Sequence, residues 1–329
     1  MISADKKYIK SYVQEQELLG RSKEVINLIE QRLKVISNYF KSTSFVELTP
    51  KHIKKLRNDF YFLPVNLSKI KEFKNIDVKN ACRINQARSE LGYKSISIET
   101  HRGYFSALSD MLKYLRSEEL MINNPMSDIK FKRPSLIKAN ERNRSFDYNE
   151  LEKIFDYINN NYTSNDGFKY WILYLLRYTG ARSKELIQLE STDLIEKDGI
   201  KCLMLYPEEY KTENSGRLVP IHPKLIKLGF IDFVENKTGI LFPESRTEKR
   251  ALTYKLSKWS SYWRRKLDFG KGKNLISFRH TFIDDLKKAE VDLEKRAQLA
   301  GHSKGSITAD VYSKDYPMDV MLETILLIE

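Results

Sequence analysis

Thr179-Gly180-Ala181-Arg182-Ser183-Lys184-Glu185-Leu186 places an arginine directly after a glycine turn and at the opening of a helix. That position aims a guanidinium and unsatisfied backbone N–H groups outward, which makes a good anion site. Alone it is weak evidence, because an arginine after a turn is most often a surface residue. Its weight comes from what stands downstream. Ser277-Phe278-Arg279-His280-Thr281-Phe282 opens a helix whose Phe282, Ile283 and Leu286 face inward, and it again leaves an arginine at a helix start. Leu299-Ala300-Gly301-His302 ends the next helix with a glycine suited to a left-handed cap. Ten residues beyond His302 comes Tyr312, within Thr308-Ala309-Asp310-Val311-Tyr312-Ser313-Lys314. Between the two arginines, Lys211 follows a strand-like run, Cys202 to Tyr206, and precedes another, Arg217 to Ile221, with a polar turn at Glu213 to Gly216. It therefore belongs to a hairpin that can reach into a cleft, although by itself it reads as an exposed lysine.

Taken in order, these contexts are specific. Thr179 to Arg182 with Glu185, Tyr210-Lys211-Thr212 followed by Arg217 to His222, Ser277 to Phe282, Ala300 to Ser303 and Thr308 to Pro317 resemble the motifs of tyrosine site-specific recombinases, particularly phage and prophage integrases. The similarity covers essentially Asp147 to the end, and Ser97 to Pro134 resembles the family's core-binding domain and linker. The resemblance implies that Arg182 and Arg279 hold the scissile phosphate, that Lys211 is the hairpin lysine, that His302 is the histidine of the Gly-His motif, and that Tyr312 is the nucleophile.

The chemistry asks for the same groups. A phosphodiester gains negative charge on its nonbridging oxygens as a phenolic oxygen attacks, so two arginines and a histidine donor stabilise the transition state more than the ground state. The 5′ oxygen leaves poorly unless protonated, and a hairpin lysine is a reasonable general acid. A covalent DNA–tyrosine link conserves the bond energy for rejoining, so no ATP is needed. One position departs from the family pattern: Ile276 stands three residues before Arg279, where a histidine or lysine usually helps to activate the tyrosine. Either His302 and the arginines suffice, or a neighbour such as Lys273 or Asn274 compensates, or the enzyme is slow. His280 reads as structural, and His52, His101 and His222 show no metal spacing and read as surface or loop residues.

Working outward, the bulk properties agree. A chain of 329 residues suggests two folded units, each able to bury a core. Hydrophobic residues make up 41% and charged residues of both signs 31%, which argues against wholesale disorder. A net charge of +13, spread along the chain, points to a nucleic-acid partner. The two cysteines, Cys82 and Cys202, form neither a disulfide framework nor a zinc site, so a reducing compartment is expected. No phosphate-binding loop, zinc-protease motif or Cys/His cluster is present, so neither a cofactor nor a protein-held metal is expected. No apolar run is long enough to span a bilayer and Met1 to Lys10 is not a signal peptide, which points to the cytoplasm and away from any membrane; the resemblance implies a bacterial or phage-encoded protein associated with the nucleoid.

The expected fold is mainly α with a small β-sheet or hairpin, an α+β arrangement of two domains forming a C-shaped DNA clamp. Residues 1–20 read as an N-terminal extension, and 21–123 as a helical, SAM-like core-binding domain. In it Val25, Ile26, Ile29, Leu33 and Ile36 recur at helical spacing, Thr49 and Pro50 open a second helix, and Ser97 caps a third carrying Tyr104, Phe105, Leu108, Met111, Leu112 and Leu115. Residues 124–145 read as a basic linker whose Lys130, Lys132, Arg133 and Arg144 lie along DNA phosphates. The catalytic domain spans 146–316 and begins with a capping box at Asp147 and Glu150. The tail, 317–329, is so apolar that it must be covered. It either folds back on its own core or, as the resemblance implies, docks into a neighbouring protomer.

The expected partner is double-stranded DNA with specific core sites, bound by a homotetramer that is monomeric when free. Paired protomers would cut one strand each, exchange strands to a four-way (Holliday) junction, then repeat with the other pair, so integrating or excising a mobile element. Two rivals stand beside this reading: a catalytically impaired DNA-binding accessory or regulatory protein on the same fold, and a type IB topoisomerase-like enzyme.

Overall fold

The computed structural model describes residues 3–127, 129, 144–206, 216–246, 252–270, 272–301 and 315–329. The chain divides into two compact units, Met1–Ser135 and Leu136–Glu329, each with a hydrophobic core of its own. The described residues are mainly helical, with one small antiparallel sheet.

The first unit is built from α1 (Ser3–Leu18), α2 (Lys23–Phe40), α3 (Pro50–Phe60), α4 (Val78–Ala87) and α5 (Ile98–Ser117). Helix α2 buries Ile26, Ile29, Leu33 and Ile36 on one stripe, whereas Val25 is exposed. The helix starts are set locally. Thr49 Oγ1 accepts from the His52 N–H with Pro50 in the first turn, Asp77 Oδ1 accepts from the Asn80 N–H at 2.8 Å, and Ser97 Oγ accepts from the Thr100 N–H at 3.2 Å. Behind Ser97, the face of α5 carrying Phe105, Leu108, Met111, Leu112 and Leu115 is buried.

Within the stretch read as an N-terminal extension, residues 3–18 form a helix that belongs to the first unit. Helix α1 buries Ile9 and Tyr12 in the core of this unit. The fully buried Asp5 accepts hydrogen bonds from Ser37 Oγ at 2.6 Å, Ser44 Oγ at 2.7 Å and the Phe45 N–H at 3.0 Å. A carboxylate so satisfied ties the helix to α2 and to the turn before α3.

The second unit opens with the Asp147–Glu150 capping box of α6 (Tyr148–Asn161), both reciprocal bonds measuring 2.9 Å. At its centre lies α7 (Phe168–Thr179), apolar almost all round, with Trp171, Ile172, Leu173 and Leu175 fully buried. After the short α8 (Ser183–Ile187) come β1 (Leu194–Lys197), β2 (Ile200–Leu205) and β3 (Arg217–Pro220), paired antiparallel in the order β1-β2-β3, with Ile195 opposite Cys202 and Leu205 opposite Arg217. Strand β1 was not expected. It is joined to β2 through Asp198 and Gly199, both at positive φ (54° and 75°), a pair well suited to a two-residue hairpin.

Helices α9 (Pro223–Lys227), α10 (Phe230–Glu235), α11 (Tyr254–Lys266), α12 (Leu275–Lys288) and α13 (Leu293–Ala300) follow. Helix α12 packs Phe278, Phe282 and Leu286 into the core around α7. Cys82 and Cys202 are free and buried, and burial raises both thiols, Cys82 to about 12 and Cys202 to about 11.

The C-terminal segment, for which docking into a neighbour was the leading expectation, lies on its own unit. Helix α14 (Met318–Ile325) buries Met318, Met321 and Ile325, with Ile328 beyond it, in the same core as α7. Arg177 Nη2 of α7 donates to the backbone carbonyl of Glu329 at 2.8 Å. Of the histidines expected in surface or loop positions, His101 lies inside a helix and His222 lies in a loop, and both are buried. His101 is buried and stacks on Tyr61, while His222 caps α9 through Nδ1 and stacks on Tyr178 at 4.5 Å. His52 is the N3 residue of the α3 capping box. Among the described residues no helix is long and apolar enough to cross a membrane.

Candidate active site

Helix α7 ends because Gly180 turns left-handed (φ +62°), and no side chain fits there: a Cβ would stand 2.4 Å from Cδ1 of the buried Phe282. The turn delivers Arg182 to the N-cap of α8. Its backbone N–H donates to Glu185 Oε2 and its Nη1 to Glu185 Oε1, each at 2.9 Å. About a third of the Arg182 side chain remains exposed, so the guanidinium is anchored by Glu185 without being enclosed.

Glu185 is the hub. Its side chain is wholly buried, and Arg217, the first residue of β3, grips the same carboxylate with Nη2 to Oε2 at 2.8 Å and Nη1 to Oε1 at 3.3 Å. Burial pushes this carboxyl up, but Arg217 first and Arg182 second outweigh burial and hold it below the usual range. The remaining donor of Arg217, Nε, bonds the carbonyl of Leu299 at 2.8 Å in the last turn of α13.

Arg279 completes the cluster from α12. It lies one turn inside that helix, which starts at Leu275 with Asn274 as its cap, rather than at the helix start, and it is 3% exposed. Nη1 donates to the carbonyl of Gly180 at 2.8 Å. Nη2 is buried and has no hydrogen-bond partner among the described residues. Burial, then the charges of Arg182 and Arg217, push its pKa down to about 9, against the opposing pull of Glu185. Two guanidiniums thus grip one carboxylate, and Arg279 stands near enough to feel the charge of all three groups. The cluster therefore carries a surplus of positive charge that is partly out of water, an arrangement that favours an anion.

A model of the phage integrase family matches residues 144–318, more than half of the chain. The chain belongs to the phage integrase family. Solved structures show the same fold. A lambda integrase dimer bound to a COC′ core site superposes with a TM-score of 0.60 at 14% identity, over 94% of this chain and 79% of that one. The Tn1549 transposon integrase in complex with transposon right end DNA gives 0.58 at 15% identity, over 94% and 95%. The XerH site-specific recombinase bound to difH substrate gives 0.50 at 18% identity, over 96% and 93%. No curated protein matches the sequence.

Of the residues singled out in this integrase, Arg182 and Arg279 are brought together. Lys211, His302 and Tyr312 lie outside the described residues, as do Lys130, Lys132 and Arg133. Arg144 is exposed, and its backbone N–H donates to the Gly272 carbonyl at 3.0 Å. Described residues flank Lys211, His302 and Tyr312 in the chain. Leu205 of β2 pairs with Arg217 of β3 across the connection that carries Lys211. Gly301, left-handed at φ +66°, directly precedes His302, and Gln298 of α13 clamps the backbone of Tyr316, accepting from its N–H at 2.8 Å and donating to its carbonyl at 3.1 Å.

Neither proposed substitute for the missing histidine is available. Lys273 Nζ is bound to Glu150 Oε2 at 2.6 Å and to the Ser145 carbonyl, and the Asn274 side chain caps α12. Half-buried Ile276 offers no proton acceptor. Among the described residues no group of three or more His, Cys, Asp or Glu could hold a metal ion. The residue to which sequence reasoning gave no role of its own is Arg217, which had been read as the start of a strand and as part of the motif that follows Lys211. Its signal was a guanidinium in a run otherwise apolar enough to be buried.

Proposed function

We propose that this chain cuts and rejoins DNA strands site-specifically through a 3′-phosphotyrosine at Tyr312, and that its use is the integration or excision of a mobile element. Tyr312 Oη attacks the scissile phosphorus and the bond to the 5′ oxygen breaks. Lys211 protonates that leaving oxygen, while Arg182, Arg279 and His302 stabilise the charge growing on the nonbridging oxygens. The observation that carries the reading is Arg279: a buried guanidinium, repelled by two others, with a donor left over. A fold retains such a group where an anion is bound for part of the working cycle. Residues 21–123 would grip DNA as the core-binding domain, residues 124–145 would follow the backbone, and residues 146–316 would carry the chemistry. The solved integrase and recombinase complexes with DNA support double-stranded DNA as the partner. A tetramer on paired sites and a monomer in free solution complete the proposal, with the cytoplasm as its place of action.

Ile276 favours one second reading, a DNA-binding regulator on the same fold, because a phenol with an ordinary pKa near 10 needs help to ionise. A nicked suicide duplex, which traps covalent intermediates, separates the two. A denaturation-resistant adduct that disappears in Tyr312→Phe supports cleavage. Tight binding with no adduct supports the regulator, and relaxation of supercoils without paired sites supports a topoisomerase-like enzyme.

A further inference from the structure

We propose that Arg217 is a positioning residue that locks the end of α13, and with it the chain leading into His302, to the carboxylate that orients Arg182. The proposal rests on the cleavage reading above. One guanidinium makes three bonds to two partners: to both oxygens of Glu185, at 3.3 and 2.8 Å, and to the Leu299 carbonyl at 2.8 Å. Its side chain is 13% exposed and the carboxylate it meets is fully enclosed, so water competes little for these bonds. The partners come from separate pieces of the fold. Glu185 belongs to α8 and also holds Arg182, Arg217 opens β3, and Leu299 lies at the end of α13. Two residues after Leu299 the chain turns at Gly301.

Gly301 is fitted to this guanidinium. A Cβ there would stand 2.6 Å from Arg217 Nη1 and 2.9 Å from Cζ, well inside contact distance, so the turn can approach β3 only because it carries no side chain. The direction in which the chain leaves α13 is therefore set by a planar fork seated against a bare backbone. Lysine cannot replace it: an ammonium is a point charge without the fixed fork that meets a carboxylate edge and a carbonyl together.

The test compares the unaltered full-length chain with Arg217→Lys and with Gly301→Ala in both backgrounds, using single-turnover adduct formation on the suicide duplex and duplex affinity at one fixed salt concentration. Arg217→Lys is expected to bind DNA within about twofold of the parent and to form adduct about 10- to 100-fold more slowly. The limb of its pH–rate profile that vanishes in His302→Ala should move as well, which a loss of fold alone would not produce. Gly301→Ala should slow the parent at least about tenfold and slow Arg217→Lys by clearly less, because the left-handed φ of +66° strains alanine in both backgrounds while the guanidinium it strikes is present only in the parent. An Arg217→Lys chain as fast as the parent, with the same pH profile, overturns the proposal, as do Gly301→Ala costs that multiply fully in both backgrounds. Should Arg217→Lys fail to fold, Arg217→Gln, which keeps a donor but loses the charged fork, takes its place in the same comparison with the same deciding outcomes, and Gly301→Ala at normal speed in the parent overturns the idea by itself. If the unaltered chain forms no adduct, the cleavage reading itself fails and takes this proposal with it.

Discussion

Gly180→Ala is a sharp test of how α7 and the arginine cluster depend on one another. The substitution puts an L side chain at φ +62°, which costs about 1–2 kcal/mol in backbone conformation. It also drives a methyl group to 2.4 Å from Phe282 Cδ1, where carbon pairs settle at about 3.5–4.0 Å. Phe282 is fully buried, so the ring cannot leave and must press on its neighbours, adding about 1–3 kcal/mol of overpacking. A total near 2–5 kcal/mol should lower the melting temperature of the second unit by about 5–15 °C. The Gly180 carbonyl accepts from Arg279 Nη1, so shifting it should also displace that guanidinium and slow adduct formation more than it weakens DNA binding. Thermal denaturation of the parent, Gly180→Ala, Phe282→Leu and the double variant measures the coupling. Phe282→Leu is expected to make room, leaving the double variant more stable than the two separate losses predict. A Gly180→Ala chain that melts with the parent, or losses that add without interaction, would refute the reasoning.

Two further outcomes can be measured by denaturant unfolding. Burial, with smaller contributions from Arg177 and Lys224, holds the His222 imidazole below its ordinary value near 6.5, against a hydrogen bond to the Ile328 backbone. The unfolded chain then takes up a proton before the folded one does, so stability is complete above about pH 6.5 and declines as pH falls below it. His222→Asn, which keeps an acceptor for the helix cap, should flatten that decline, and an unchanged slope would count against it. Asp5→Ala strands two hydroxyls and a backbone N–H inside the first unit and is expected to cost about 3–5 kcal/mol, read as a lower unfolding midpoint with an unchanged slope.

What the sequence made legible was local. The caps at Thr49, Ser97 and Asp147 could be read because donor and acceptor lie three residues apart. The buried stripe of α5 could be read because its period is that of the helix. Arg182 was visible for the same reason, since a glycine turn announces it. The features missed depend on distant partners. Asp5 meets Ser37 and Ser44, and α1 is fixed by those contacts rather than by its own weak pattern. Arg217 meets Glu185 across 32 positions and Leu299 across 82, and no window along the chain brings them together. The apolar tail announced that it must be covered but not by what, because Met321 and Ile325 satisfy any apolar surface equally. Strand β1 was missed for a different reason: four residues carry almost no periodicity, and the Asp198-Gly199 turn that marks it was overlooked.

Crowding three guanidiniums around a single carboxylate leaves a patch of the second unit in lasting electrostatic tension, held closed by the apolar packing of α7 against α12. A screen that rewarded only resistance to heat would erode this patch first, accepting neutral side chains at Arg279 before altering Phe278 or Trp171. The variants it returned would be sturdy and inert. In such a collection, the positions where robustness and activity part company would trace the anion site without any DNA having been offered.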